Sequence, residues 1–144
     1  MKKLSFLIVL LFISYTAFAQ NADAILGVWL NQEKDAKIEI YKSGTKYYGK
    51  LIWGKNVFEA DGKTSKKDTK NADESQRRRN LLNLVLLKDF VYDADDKEWT
   101  DGTIYDPKNG KTYSCVMSLD NQTLHITGYI GFTWIGRTVV WTRP

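Results

Sequence analysis

From Tyr113 to Leu119 the side chains alternate. Tyr113, Cys115, Met117 and Leu119 share one face, and Thr112, Ser114, Val116 and Ser118 share the other. A period of two is that of a strand with one buried face and one wetter face. The stretch before it, Trp99 to Asp106, is rich in residues that suit a pleated surface. Asp106-Pro107-Lys108-Asn109-Gly110 joins the two. Pro107 presets φ for the second position of a type I turn, and Gly110 can take the left-handed conformation that closes it. The whole reads as a hairpin, with Cys115 as a small core residue on its apolar face.

The same alternation predicts the other strands. Gly27 to Asn31 opens the first, and Ala36 to Lys42 puts Ile38 and Ile40 on one face. Thr45 to Gly54 sets Tyr47, Gly49, Leu51 and Trp53 against Tyr48, Lys50 and Ile52. Leu81 to Phe90 is a strongly apolar strand, with a helix running from Arg79 through Leu87 as its rival. Thr123 to Ile130 places Leu124 and Ile126 opposite His125, Thr127 and Tyr129, and Trp134 to Arg143 closes the chain. Ser43-Gly44, Asp93 to Lys97 and Asn121-Gln122 are turns, and Ala22 to Leu26 is a short helical turn.

One segment breaks the pattern. Lys55 to Asn80 is polar and rich in lysine, a long insert for a compact domain. Its second half, Asn71 to Arg79, reads as a short helix, acidic at its start and basic at its end as the helix dipole favours. About eight short strands at regular spacing imply a sandwich or a closed barrel, and closure removes exposed edges. The expected fold is all-β: an antiparallel up-and-down barrel of about eight strands with a short helical insert.

Composition then supplies an address. Lys2 and Lys3, the apolar run Leu4 to Ile13 and the small-x-small site Ala17-Phe18-Ala19 form a secretory signal peptide over residues 1–19. That leaves residues 20–144 as a single β-barrel domain, periplasmic or secreted. No later segment offers the ~20 apolar residues of a transmembrane helix. No cysteine follows the cleavage site, so nothing supports a lipid anchor there. Loss of Lys2 and Lys3 lowers the net charge from +4 to +2, weak grounds for a nucleic-acid partner. A single cysteine excludes an intrachain disulfide and a thiolate metal cluster.

Gly27-x-Trp29, with a cationic residue near the C-terminal end, resembles the calycin superfamily of lipocalin-like barrels. In that group a tryptophan of the first strand packs near an arginine from the last. The resemblance implies that Trp29 closes the barrel with Arg143 or Arg137. A longer series of motifs falls in order along the chain: Gly27-x-Trp29, Tyr48-Gly49-Lys50-Leu51, Asn71-x-Asp73, Trp99-x-x-Gly102-x-Ile104-Tyr105-Asp106-Pro107-x-x-Gly110-Lys111-x-Tyr113, Leu124-x-Ile126-x-Gly128-Tyr129 and Trp141-x-Arg143. Together they resemble DUF2147, an exported bacterial family with a calycin-like barrel and no assigned activity. The chain departs from that family where a glycine often opens the middle apolar strand; here the sequence is Leu82-Asn83-Leu84.

Candidate chemistry is sparse. His125 is the sole histidine, and its face holds Thr123, Thr127 and Tyr129, with no nucleophile or orienting carboxylate. Asp93, Asp95 and Asp96 lack the glycine and distal glutamate of a calcium loop and read as an acidic turn. Glu98, Asp101 and Asp106 could supply a glycosidase carboxylate pair, but Asp106 has a turn role and nothing fixes a separation for the others. Arg77 to Arg79 with Lys63, Lys66, Lys67 and Lys70 could meet an anionic surface; the interleaved Asp61, Asp68, Asp73 and Glu74 favour a solvated loop.

Trp53, Tyr105, Tyr113, Tyr129 and Trp134 are the candidates to line a pocket for a small apolar ligand. Their bulk, with few small residues among them, favours a filled or nearly filled interior. Against that, the expected role is a non-catalytic binding module, with a carrier of a small hydrophobic molecule as its concrete form and no metal or cofactor; a solid interior would count against it. The alternative is an envelope interaction or scaffolding module that uses the 55–80 insert. A hydrolase is disfavoured because no nucleophile–base pair can be assembled.

Overall fold

A computed structural model describes residues 22–130 and 133–144, the side chains of 130 and 133–135 excepted. The expected leader over residues 1–19 lies outside the described residues, as does the side chain of Trp134. The strands are β1 (Gly27–Leu30), β2 (Ala36–Ser43), β3 (Lys46–Gly54), β4 (Val85–Asp93), β5 (Glu98–Asp106), β6 (Lys111–Asp120), β7 (Thr123–Ile130) and β8 (Thr133–Thr142). Each pairs antiparallel with the next, and β8 returns to β1 to close a barrel. The closing seam is narrow, a single pair of Leu30 with Thr142.

The apolar alternation read from the sequence faces inward. Trp29, Ile38, Ile40, Tyr47, Phe90 and Leu124 are all but inaccessible. The end of the barrel beneath residues 22–26 is packed with large buried side chains, among them Trp29, Tyr47, Phe90 and Trp99. Gly102 makes this possible, because a Cβ there would lie 2.4 Å from the Phe90 ring. Phe90 of β4 thus lays its ring over the backbone of the neighbouring strand β5 at Gly102. Across the same end runs a cap, the 3-10 turn Asp23–Ile25. Trp29 Nε1 donates to the Ile25 carbonyl at 2.8 Å and Trp99 Nε1 to that of Ala22 at 3.0 Å. Tyr47 donates its hydroxyl to Asp23, which holds that carboxyl below its usual range.

Arg143 completes the cap. Its guanidinium carbon sits 3.9 Å from the centroid of the Trp29 ring. Nη1 donates to the carbonyls of Leu26 and Val28 at 3.0 and 3.2 Å, and Nη2 to that of Ala24 at 3.0 Å. Of the two arginines expected to close the barrel, Arg143 does so. Arg137 pairs with Gly128 near the far end of the barrel and is exposed.

The insert between β3 and β4 differs from its expected form. In place of a helix over Asn71 to Arg79 there is one 3-10 turn, Glu74–Gln76. The reason is local: the Asn71 side chain accepts from the Asp73 N–H, and Asp73 accepts from that of Ser75. Such bonds offer the backbone an alternative to a helix. The bridges Phe58↔Ser65 and Lys67↔Asn80 fold the insert back on itself.

The apolar run after the insert is a strand, as expected, but it begins at Val85 rather than Leu81. Asn83 sits before it with φ of 65°. Its N–H donates to the Leu51 carbonyl at 2.7 Å, and the Leu51 N–H returns to that of Leu84 at 2.9 Å. Asparagine is among the few residues other than glycine that tolerate this conformation, so the bend survives without the glycine.

Candidate functional site

The barrel half away from the cap is not filled. It holds a cavity of about 600 Å³ whose wall includes Ile38, Leu51, Ile104, Ile126, Val139 and Trp141. The expectation of a filled or nearly filled interior fails here for a specific reason. Inward positions of this half carry Ala36 and Gly128, and these line the cavity too. Small residues opposite large ones leave room that the bulky rings of the capped end do not. The signal was in the sequence, at Ala36 and Gly128 rather than in the overall count of aromatics.

The mouth is polar. Asn31, Glu33 and Asp35 come from the β1–β2 loop, Asp106 from the end of β5, Lys108 from the turn that follows it, and Arg137 from β8. Asn31 ties its own loop: its amide donates to Glu33 at 3.2 Å and to Asp35 at 2.7 Å, and its oxygen accepts the N–H groups of Asp35 and Ala36, both at 2.9 Å. Asp106 accepts the N–H of Lys108 at 2.9 Å, as its turn role requires. Among the described residues no three His, Cys, Asp or Glu side chains cluster as metal ligands do.

The five aromatics expected on a pocket wall separate. Tyr113 lines the cavity, and its hydroxyl accepts from the Asn109 amide at 2.9 Å. Trp53 does not line it. A bulge between Lys37 and Ile38 shifts the β2–β3 pairing so that Trp53 partners Lys37, whose Nζ lies 5.6 Å from the ring centroid. Cross-strand partners share a face, so the bulge turns Trp53 outward. Tyr129 also faces out, since it partners Ser114 while the neighbouring pair Cys115 and Gly128 faces in. It borders a second, outer groove of about 650 Å³ with Lys88 and Thr103. The side chain of Trp134 is not among those described.

Tyr105 reaches the cavity margin but is held elsewhere. Its neighbour Ile104 partners the inward Tyr113, so Tyr105 points to the outer face, where the insert covers it. There its hydroxyl donates to Asp68 Oδ1 at 2.6 Å. The Asn71 amide and Arg79 Nε donate to Oδ2 at 2.9 and 3.0 Å. Asp68 is 1% exposed, the most buried charged side chain among the described residues. Burial and the Asp68 contact push the Tyr105 hydroxyl up to about 12. Gly110 locks the adjoining turn against this segment, because any Cβ there would overlap the Lys70 carbonyl. The sequence listed Asp68 only as one charge in a solvated loop; nothing local distinguishes it from Asp61.

The remaining candidates sit apart from the cavity. His125 lies on the outer side of β7 between Ser118 and Val140. Asp93 accepts the N–H groups of Asp95 and Asp96, an ordinary acidic turn. Asp101 occupies a left-handed position, φ 61°, inside a β5 irregularity. Cys115 is buried, and burial alone pushes its thiol up to about 12. The native protein should therefore resist a disulfide reagent such as dithionitrobenzoate at pH 8, with one thiol released on addition of guanidinium. Rapid labelling of the folded protein would show that this wall opens.

No match is found among curated proteins. Among solved structures the fold is similar to protein HP1028 from the human pathogen Helicobacter pylori, described as belonging to the lipocalin family. The TM-score is 0.70 at 25% identity, over 83% of this chain and 82% of that one. A family of bacterial proteins described as "Uncharacterized protein conserved in bacteria" matches residues 27–143, from the glycine that opens β1 to the arginine that clasps Trp29. The chain belongs to that family, DUF2147.

Proposed function

We propose that this protein is an exported, non-catalytic carrier that holds a small hydrophobic molecule inside its barrel. The observation that carries this reading is the cavity of about 600 Å³ with an apolar wall and a polar mouth. Pockets for drug-sized ligands span ~300–1,000 Å³ and combine mostly apolar linings with a few polar groups. The similarity to a protein described as a lipocalin supports the same role. Export rests on the basic start, the apolar run and the Ala17-Phe18-Ala19 site. Intact mass of protein from the envelope fraction tests it: a chain that keeps residues 1–19 and stays in the cytosol would overturn the address.

Native mass spectrometry and solvent extraction of the purified protein test the carrier role. A released apolar compound is expected, and the stripped protein should bind a fluorescent naphthylamine probe. Val139→Phe puts a ring into the cavity. It should weaken probe binding at least about tenfold, while overpacking costs no more than ~1–3 kcal/mol of stability. Unchanged binding by a folded Val139→Phe variant would place the probe elsewhere. The scaffolding alternative has less support, because the Asp68 contacts tie the insert to the barrel wall.

A further inference from the structure

The mouth of the cavity carries charges of both signs: Glu33, Asp35 and Asp106 against Lys108 and Arg137. Among the described residues none of these five forms an ion pair, although Lys42, Lys46 and Lys50 on the strands each do. The arrangement is not random in the wall. Arg137 occupies a cavity-lining position of β8, and its cross-strand partner on β7 is Gly128, which has no side chain. The β1–β2 loop is held against β8 by the Gln32 side chain, which accepts the Val140 N–H at 2.9 Å. That contact ties the loop that carries Glu33 and Asp35 to β8, the strand that carries Arg137. Opposite charges thus border one apolar cavity, and among the described residues they form no ion pair with each other.

Resting on the carrier reading above, we propose that the ligand is a single-chain amphiphile with a zwitterionic head group. The chain lies on Ile38, Leu51, Ile126 and Val139. The head group's anion meets Arg137, and its cation meets Glu33 and Asp35. A simple fatty-acid anion would face three carboxylates against two cations. A simple cationic amphiphile would leave Arg137 at a lining position with nothing to meet. A head group bearing both charges satisfies both sets, and monoacyl phosphatidylethanolamine has that chemistry.

The test is displacement of bound phenylnaphthylamine from the stripped full protein, below micelle concentrations. The competitors share one chain length: lysophosphatidylethanolamine, palmitate and hexadecyltrimethylammonium. The zwitterion should displace the probe at about a tenfold lower concentration than either, the scale of one charge-assisted contact. Arg137→Gln should raise the midpoints of the zwitterion and palmitate about tenfold and leave the ammonium compound unchanged. Arg137→Lys should recover most of that loss. Glu33→Gln with Asp35→Asn should weaken the zwitterion and the ammonium compound and spare palmitate. Equal displacement by all three would overturn the head-group assignment and leave the carrier reading standing. So would an Arg137→Gln protein that binds the probe and shows no change among competitors. Failure of the wild-type protein to bind the probe at all would overturn both.

Discussion

Replacing Arg143 with methionine is expected to lower the unfolding free energy by about 3–4 kcal/mol, the largest loss from any single surface-accessible side chain here. The guanidinium donates to three carbonyls, those of Ala24, Leu26 and Val28, and stacks on Trp29. A hydrogen bond from a charged group contributes ~1.5–3 kcal/mol, and a desolvated cation–π contact about 2 kcal/mol. These contributions overlap, so their sum overshoots; the range above allows for that. Methionine keeps the apolar stem and removes every donor. Arg143→Lys should be intermediate, since an ammonium is a point charge and cannot span carbonyls on both the cap and β1. Urea titration followed by tryptophan fluorescence reads the effect. A loss under about 1 kcal/mol would mean that the cap stays seated without the clasp.

The second large effect lies on the outer wall. Asp68→Ala should cost about 3 kcal/mol or more and release the insert. The substitution strands the Tyr105 hydroxyl and the Asn71 amide and takes the carboxylate partner from Arg79, which keeps its bond to Gln76. Removing one partner of a buried charged network leaves the others desolvated and unsatisfied, which costs more than the network itself contributes. Tyr105→Phe removes one donor and leaves Asp68 with two, so about 1–2 kcal/mol is expected. Hydrogen exchange separates local from global loss. In Asp68→Ala, amides of residues 66–84 should exchange faster than those of β6 and β7. If the two regions change together, the insert is not a separate unit.

The strands were legible because a period of two is written directly in the residue types. Tyr113, Cys115, Met117 and Leu119 alternate without interruption, and β6 follows them. The Trp29–Arg143 closure was legible only through likeness to other barrels, since the two residues are far apart in the chain and neither is unusual alone. Trp53 was misplaced because one bulge inverts parity beyond it, and a bulge leaves no mark in hydrophobic alternation. The cavity was not legible from ring counts. Room inside a barrel is a small difference between large volumes, and small residues at Ala36 and Gly128 tip it here. Asp68 was missed for another reason. Its burial comes from Tyr105, a distant partner in sequence, and the insert's own composition says only that it is polar.

β1 is four residues long, and it meets β8 through Leu30 and Thr142 alone. Every other neighbouring pair of strands is laced by several rungs. The wall therefore behaves less as a tube than as a cuff with one short buckle. Thermal breathing should part it along that line first, with amides of β1 and the last strand losing protection together. If the seam parts in this way, a guest has a route into the cavity besides the mouth, and loosening the Arg143 clasp should widen it.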